Sequence, residues 1–344
     1  MKIKNLNIKK LISLLTTSIM LITPSISKSE SNKFTDLDYH LMETITIAQN
    51  SDFIKNSGMR YNGKNFWENG CGPSSIINSL ILGLDFGDQN AVIEFSQEVL
   101  KIFAIKHKPQ ERSIKVTEGI ALDLDQSDYI IKHKEEFPIM YSLLTQYDGE
   151  IEYITKKIKP ETVFNKISDG NTLILGKAAL QEELSNYLDL AYDLYQRGYY
   201  DAEIIINCVQ VGKEEWNRPF KTKYGHYCTY YFNVKQLIEE GAFYLIDSLP
   251  RALEGEPFGK QEIYTQQYAF VGNKSYKTFN NTFTCERINP TIIKININEI
   301  QEFRNITNKQ EFINFMISKM KCLDLGGNVG IVISIPNKDK HLYK

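Results

Sequence analysis

Three residue types that together can open an amide bond stand in the order thiol, imidazole, carboxylate. Cys71 lies in Asn69-Gly70-Cys71-Gly72-Pro73, directly ahead of an apolar helical pattern. A thiol at a helix N-terminus feels the positive end of the helix dipole, which favours the thiolate. The unsatisfied N–H groups of that first turn can also donate to an oxyanion. His226 follows Tyr224-Gly225 at the entrance to the strand-like run Cys228-Thr229-Tyr230-Tyr231-Phe232. Asp247 ends the apolar run Phe243-Tyr244-Leu245-Ile246 and precedes Ser248-Leu249-Pro250. If segments 226–234 and 242–247 pair as antiparallel neighbours, Asp247 returns beside His226, as an imidazole's orienting group must. Each residue also has an ordinary structural role. Cysteines bury in helical turns, histidines open strands, and aspartates cap the turn that follows a strand.

A metal reading competes for the same residues. His226 and Cys228 are two apart in a strand and so share a face. With Cys71 and Asp247 nearby they offer a possible Zn²⁺ ligand set. Neither a C-x-x-C nor an H-E-x-x-H spacing supports it, and the preferred reading needs no cofactor. The remaining histidines, His40, His107, His133 and His341, stand in polar settings that suit solvated side chains.

These groups need elements to hold them. After Pro73, apolar residues at Ile76, Ile77, Leu80, Ile81 and Leu84 trace one buried helical face. Pro73 suits the first turn and Gly83 the stop. Residues 89–105 and 178–198 predict two further helices, the second ending at Gly198, and LDYHLMETITIAQ predicts a short leading helix. Strands are expected at Asn171–Gly176, Ile204–Val209, Tyr227–Val234, Ala242–Ile246 and Val329–Ile335, where β-branched and aromatic residues concentrate. Helices come first and strands cluster later, which is an α+β pattern. Tyr264, Tyr268, Tyr276 and Phe279 could line a recognition face, although such aromatics more often fill a core.

Composition narrows the class. Of the 344 residues, 42% are hydrophobic and 24% charged, which excludes disordered and disulfide-scaffold chains. Forty basic against 42 acidic side chains leave no broad basic face for nucleic acid. At the start, Lys2, Lys4, Lys9 and Lys10 precede the apolar run Leu11–Ile22, and Pro24-Ser25-Ile26-Ser27 follows. This is the layout of a secretory signal peptide cut after Ser27; the apolar run is shorter than the ~20 residues that span a bilayer. The expected product is secreted or periplasmic, with no membrane association after cleavage. Five cysteines (Cys71, Cys208, Cys228, Cys285 and Cys322) fit a reactive thiol plus disulfides, or a set of separate thiols.

The combination Cys-Gly-Pro-Ser-Ser, then Gly-His-Tyr, then a strand-ending Asp resembles the papain-like cysteine peptidases, above all the bacteriocin-leader (double-glycine) peptidases and their stand-alone relatives. The resemblance runs over roughly residues 61–250 and matches in detail only at the motifs. It implies an α+β papain-like fold, with the nucleophile at the N-terminus of a central helix packed on an antiparallel sheet. It also implies a peptide or protein substrate, Cys71 as nucleophile, His226 as general acid/base and Asp247 as orienter. Where that family places a glutamine six residues before the nucleophile, this chain has Asn65, and Asn69 is a second candidate for the oxyanion donor. The 155 residues between Cys71 and His226 imply a helical insertion at about 85–205. Residues 28–60 then form an N-terminal extension, and 251–344 a C-terminal extension of the core. Asp-Ser replaces the family's Asp-Pro. Gly-His-Tyr with a later Asp-Ser is also similar to the histidine box of ubiquitin-specific proteases, and the Cys-Gly to phytochelatin synthase. A host-directed isopeptidase and a transpeptidase are therefore alternatives within the enzyme class. Outside it stands an exported binding module with an inactive papain-like fold.

Overall fold

The computed structural model describes residues 35–44, 46–48, 60–61, 64–65, 71–84, 89–106, 132–139, 141–142, 151–154, 160–167, 170–211, 225–247, 269–270, 275–277, 282–288, 291–298, 300–320 and 325–338. The segment read as a signal peptide lies outside them, as do Tyr264, Tyr268 and Phe279. The chain divides into two compact units, residues 1–39 and 40–344. In the first, Thr35 and Asp38 form a capping box: Thr35 N donates to Asp38 Oδ2 at 2.8 Å and Asp38 N to Thr35 Oγ1 at 3.2 Å. This box opens helix α1, Asp36–Glu43, within the stretch where a leading helix is expected.

In chain order the remaining elements are β1 (Arg60–Tyr61), β2 (Lys64–Asn65), α2 (Cys71–Leu84), α3 (Gln89–Lys106), β3 (Ile151–Ile154), α4 (Pro160–Phe164) and β4 (Thr172–Ala179). Then come α5 (Leu180–Gln196), β5 (Glu203–Val211), β6 (Gly225–Asn233), a π-helical turn at Gln236–Glu240, and β7 (Ala242–Asp247). The chain continues with β8 (Ala269–Phe270), β9 (Ser275–Lys277), β10 (Thr282–Arg287), β11 (Ile292–Asn296), α6 (Gln301–Arg304), α7 (Lys309–Met320) and β12 (Leu325–Ile335). Tyr276 falls in β9. The mix is α+β. Ten strands form one sheet in the order β3-β4-β12-β5-β6-β7-β11-β10-β9-β8, antiparallel at every step except β3–β4.

Two features depart from the sequence pattern. Strands β3 and β4 and the first three residues of β5 come from the stretch expected as a helical insertion; β4 overlaps the strand expected at Asn171–Gly176, and β3 and β4 form one end of the sheet, beside β12. Gly83 is not a helix stop, because α2 runs on through Leu84. A Cβ on Gly83 would stand 2.6 Å from Val332 Cγ1 and 3.3 Å from Ile205 Cδ1. Its missing side chain is what lets the helix lie this close to the sheet.

Strand alternation gives the sheet two contrasting faces. On one, Ile174, Ile204, Ile206, Tyr230, Phe232, Phe243, Leu245, Ile331 and Ile333 meet Leu188, Ala191 and Leu194 of α5 and Phe312 and Met316 of α7. Lys309 joins those helices by donating to Asp193 at 2.6 Å and to Asp189. Burial works to lower the Lys309 pKa, but the hydrogen bonds to the two aspartates outweigh it and hold it above its ordinary value. The other face carries α2, which packs on β6, β5 and β12.

Candidate active site

The docking of α2 is set by polar side chains in an otherwise apolar layer. Ser75 Oγ donates to Asn207 Oδ1, and Asn207 Nδ2 donates to Ser79 Oγ at 2.8 Å. Thr229 Oγ1 and Ser79 Oγ both donate to the Ser75 carbonyl, at 2.8 and 2.9 Å. All four residues are at most 4% exposed. Sequence reasoning missed this cluster, yet a signal was present. Serines at i and i+4 interrupt an apolar helix, while Asn207 and Thr229 interrupt two apolar strands. On the neighbouring stripe, Asn78 accepts from Ile47 N at 2.7 Å and donates to Ile47 O at 3.0 Å. Thr46 Oγ1 is hydrogen-bonded to Thr291 Oγ1. Segment 46–48 thus bridges α2 and the foot of β11. Ser74 Oγ, in the first turn, is buried without a hydrogen-bond partner.

These contacts orient the helix. Ser75 and Ser79 sit over Asn207 and Thr229, whereas Gly83 sits over Ile205 and Val332. Traced backwards, α2 therefore heads from Ser75 towards the start of β6. One turn before Ser75, about 6 Å along the axis, stands Cys71, the first residue of the helix. It is half-buried, and neither it nor Cys228 is in a disulfide.

The other two candidates lie at the same end of the sheet. Position 226 is the second residue of β6 and pairs with Gln210 of β5. Strands β6 and β7 are antiparallel neighbours, and Asp247, the last residue of β7, pairs directly with Cys228. Asp247 is therefore diagonal to position 226, with the same strand parity, which is the spacing at which cross-strand side chains interact. The Asp247 side chain is buried, and its N–H donates to Thr291 O at 2.8 Å. The parity has a second consequence. Thr229 and its partner Ile246 occupy the α2 face, so positions 226, 228 and 247 belong to the alternate face, where Cys228 joins the apolar core. The fold brings 226 and 247 together on one face, and Cys71 to the same end of the sheet from the other.

Of the two oxyanion candidates, Asn65 ends β2 and pairs with Arg60 in a separate two-stranded ladder, while Asn69 lies outside the described residues. Among the described residues, no group of three or more His, Cys, Asp or Glu is placed to hold a metal ion, and no helix is long and apolar enough to cross a membrane. Comparison of the chain with protein-family models, with curated proteins and with solved structures gave no match.

Proposed function

We propose that the chain is an exported cysteine peptidase of papain-like architecture, with Cys71, His226 and Asp247 as its catalytic triad. The observation that supports this most is the arrival of three separate elements at one end of the sheet: the N-terminus of α2 with Cys71, the start of β6 with His226, and the end of β7 with Asp247. Because positions 226 and 229 have opposite parity, the thiol–imidazole pair closes only if the imidazole turns around the end of β6. Gly225, with no side chain to obstruct that turn, is the residue next to it.

In this mechanism His226 takes the Cys71 proton, giving a thiolate–imidazolium pair, and Asp247 holds the imidazole tautomer. The thiolate attacks the carbonyl carbon of the scissile amide. The Cys71 N–H, at the positive end of α2, stabilises the oxyanion together with an amide side chain, Asn65 or Asn69. Collapse of the tetrahedral species breaks the C–N bond, and the imidazolium protonates the departing amine. Water, deprotonated by His226, then attacks the thioester and releases the carboxylic acid and the regenerated thiol. The substrate class is a peptide or protein, and export follows from the basic and apolar segments of residues 1–27.

Cys71→Ala is expected to abolish peptide cleavage while leaving the melting temperature within a few degrees of wild type. His226→Ala should lower turnover by several orders of magnitude. A Cys71→Ala protein that cleaves peptides at the wild-type rate would refute the assignment.

A further inference from the structure

We infer that Ser75, Ser79, Asn207 and Thr229 form a positioning latch for the proposed nucleophile, an inference that rests on the peptidase reading of Cys71. An apolar helix face packed on apolar strands tolerates small slides and rotations, because dispersion attraction given up at one place is regained at another. A set of buried hydrogen bonds does not, since any displacement strands a donor or acceptor away from water.

Here the hydroxyl protons of Ser75, Ser79 and Thr229 all have acceptors within the cluster, and one Asn207 amide proton is shared with Ser79. Two of the cluster's residues lie on the helix one turn apart, and one lies on each of the two adjacent strands β5 and β6. The bonds therefore fix α2 both along its axis and about it. Gly83 sets the distance to the sheet at the far end of the helix, against Val332. Cys71 stands one turn before Ser75 on the same helix, so the latch sets where its backbone lies relative to the sheet. The four are positioning residues that act through the placement of Cys71 relative to the start of β6.

The test is the pH dependence of Cys71 alkylation by iodoacetamide in the full chain, with the labelled residue identified by mass spectrometry. Three variants are compared with wild type: Thr229→Val, which keeps shape and strand preference, Ser79→Ala, which favours the helix, and Thr229→Ser, which restores the hydroxyl. In the folded Thr229→Val and Ser79→Ala proteins, labelling at pH 7 should fall about tenfold as the labelling midpoint rises by about one pH unit. Thr229→Ser should label like wild type, an outcome that a general loss of stability would not produce. If Thr229→Val does not fold, Ser79→Ala carries the comparison. Wild-type labelling profiles in both disruptive variants would overturn the latch and leave the nucleophile assignment standing. An ordinary thiol profile for Cys71 in wild type would overturn the assignment itself, and with it the task given to the latch.

Discussion

The two faces of the sheet solve different problems. Under α5 and α7 the contact is almost wholly apolar, built from alternate residues of β4, β12, β5, β6, β7 and β11. Under α2 the same strands present Asn207 and Thr229, both at most 4% exposed and both hydrogen-bonded to the helix. Apolar burial is strong and directionless, whereas a buried hydrogen bond contributes less net free energy but accepts one geometry. The α5 and α7 face is built to hold the fold together, and the α2 face to place one helix.

That contrast can be broken experimentally. Leu194, fully buried between α5 and the sheet, should cost about 3 kcal/mol on Leu194→Ala, seen in chemical denaturation, with Cys71 labelling in the still-folded fraction unchanged. Gly83→Ala should show the reverse balance. Overpacking against Val332 costs roughly 1–3 kcal/mol, partly offset by about 1 kcal/mol of helix preference, so stability should drop modestly while Cys71 labelling slows. Equal labelling in Gly83→Ala and wild type would show that α2 can shift without consequence for its first turn.

A smaller effect is expected at the start of α7. Asn308 Oδ1 accepts from Glu311 N at 3.0 Å, and Glu311 Oε2 accepts from Thr307 N at 3.0 Å. Asn308→Ala should cost about 1 kcal/mol with no change in Cys71 chemistry. The Thr307 backbone hydrogen bond, helped by Asn308 and the Thr307 hydroxyl, lowers the Glu311 pKa below its ordinary 4.5. A carboxylate whose pKa is depressed by folding stabilises the fold above its unfolded pKa, and that contribution disappears as the pH falls through the folded value. The melting-temperature difference between wild type and Glu311→Gln should therefore be constant near neutrality and vanish in acid. A difference that persists at pH 2 would assign it to something other than the charge.

Much of the local structure is legible in the chain. The apolar spacing after Pro73 marks α2, the helix-forming run 178–198 marks α5, and the β-branched and aromatic runs mark β5, β6, β7 and β12. The pairing of β6 with β7, which sets the Asp247 position, follows from their short connection. Strand order is not legible, because nothing local tells Leu325–Ile335 to enter between β4 and β5. That choice depends on apolar matching between residues over 100 positions apart, such as Ile333 with Ile174 and with Ile204. The site is legible in its residue types but not in its parity. A reading by motif treats His226 as simply near Cys71, whereas an unbroken β5–β6 register puts position 226 on the alternate face from Thr229.

The place of β12 also bears on how the molecule is made. The strand that joins β3 and β4 to β5 and the rest of the sheet follows both of its neighbours by more than 100 residues, so this seam of the sheet cannot close until β12 has emerged. Contacts of such long sequence separation make folding slow. If the chain threads a secretion pore unfolded, as the proposed export requires, slowness is useful. The late strand then acts as a timer that postpones closure of this seam until β12 has crossed, and the proposed nucleophile on α2 stays unassembled on the producing side of the membrane.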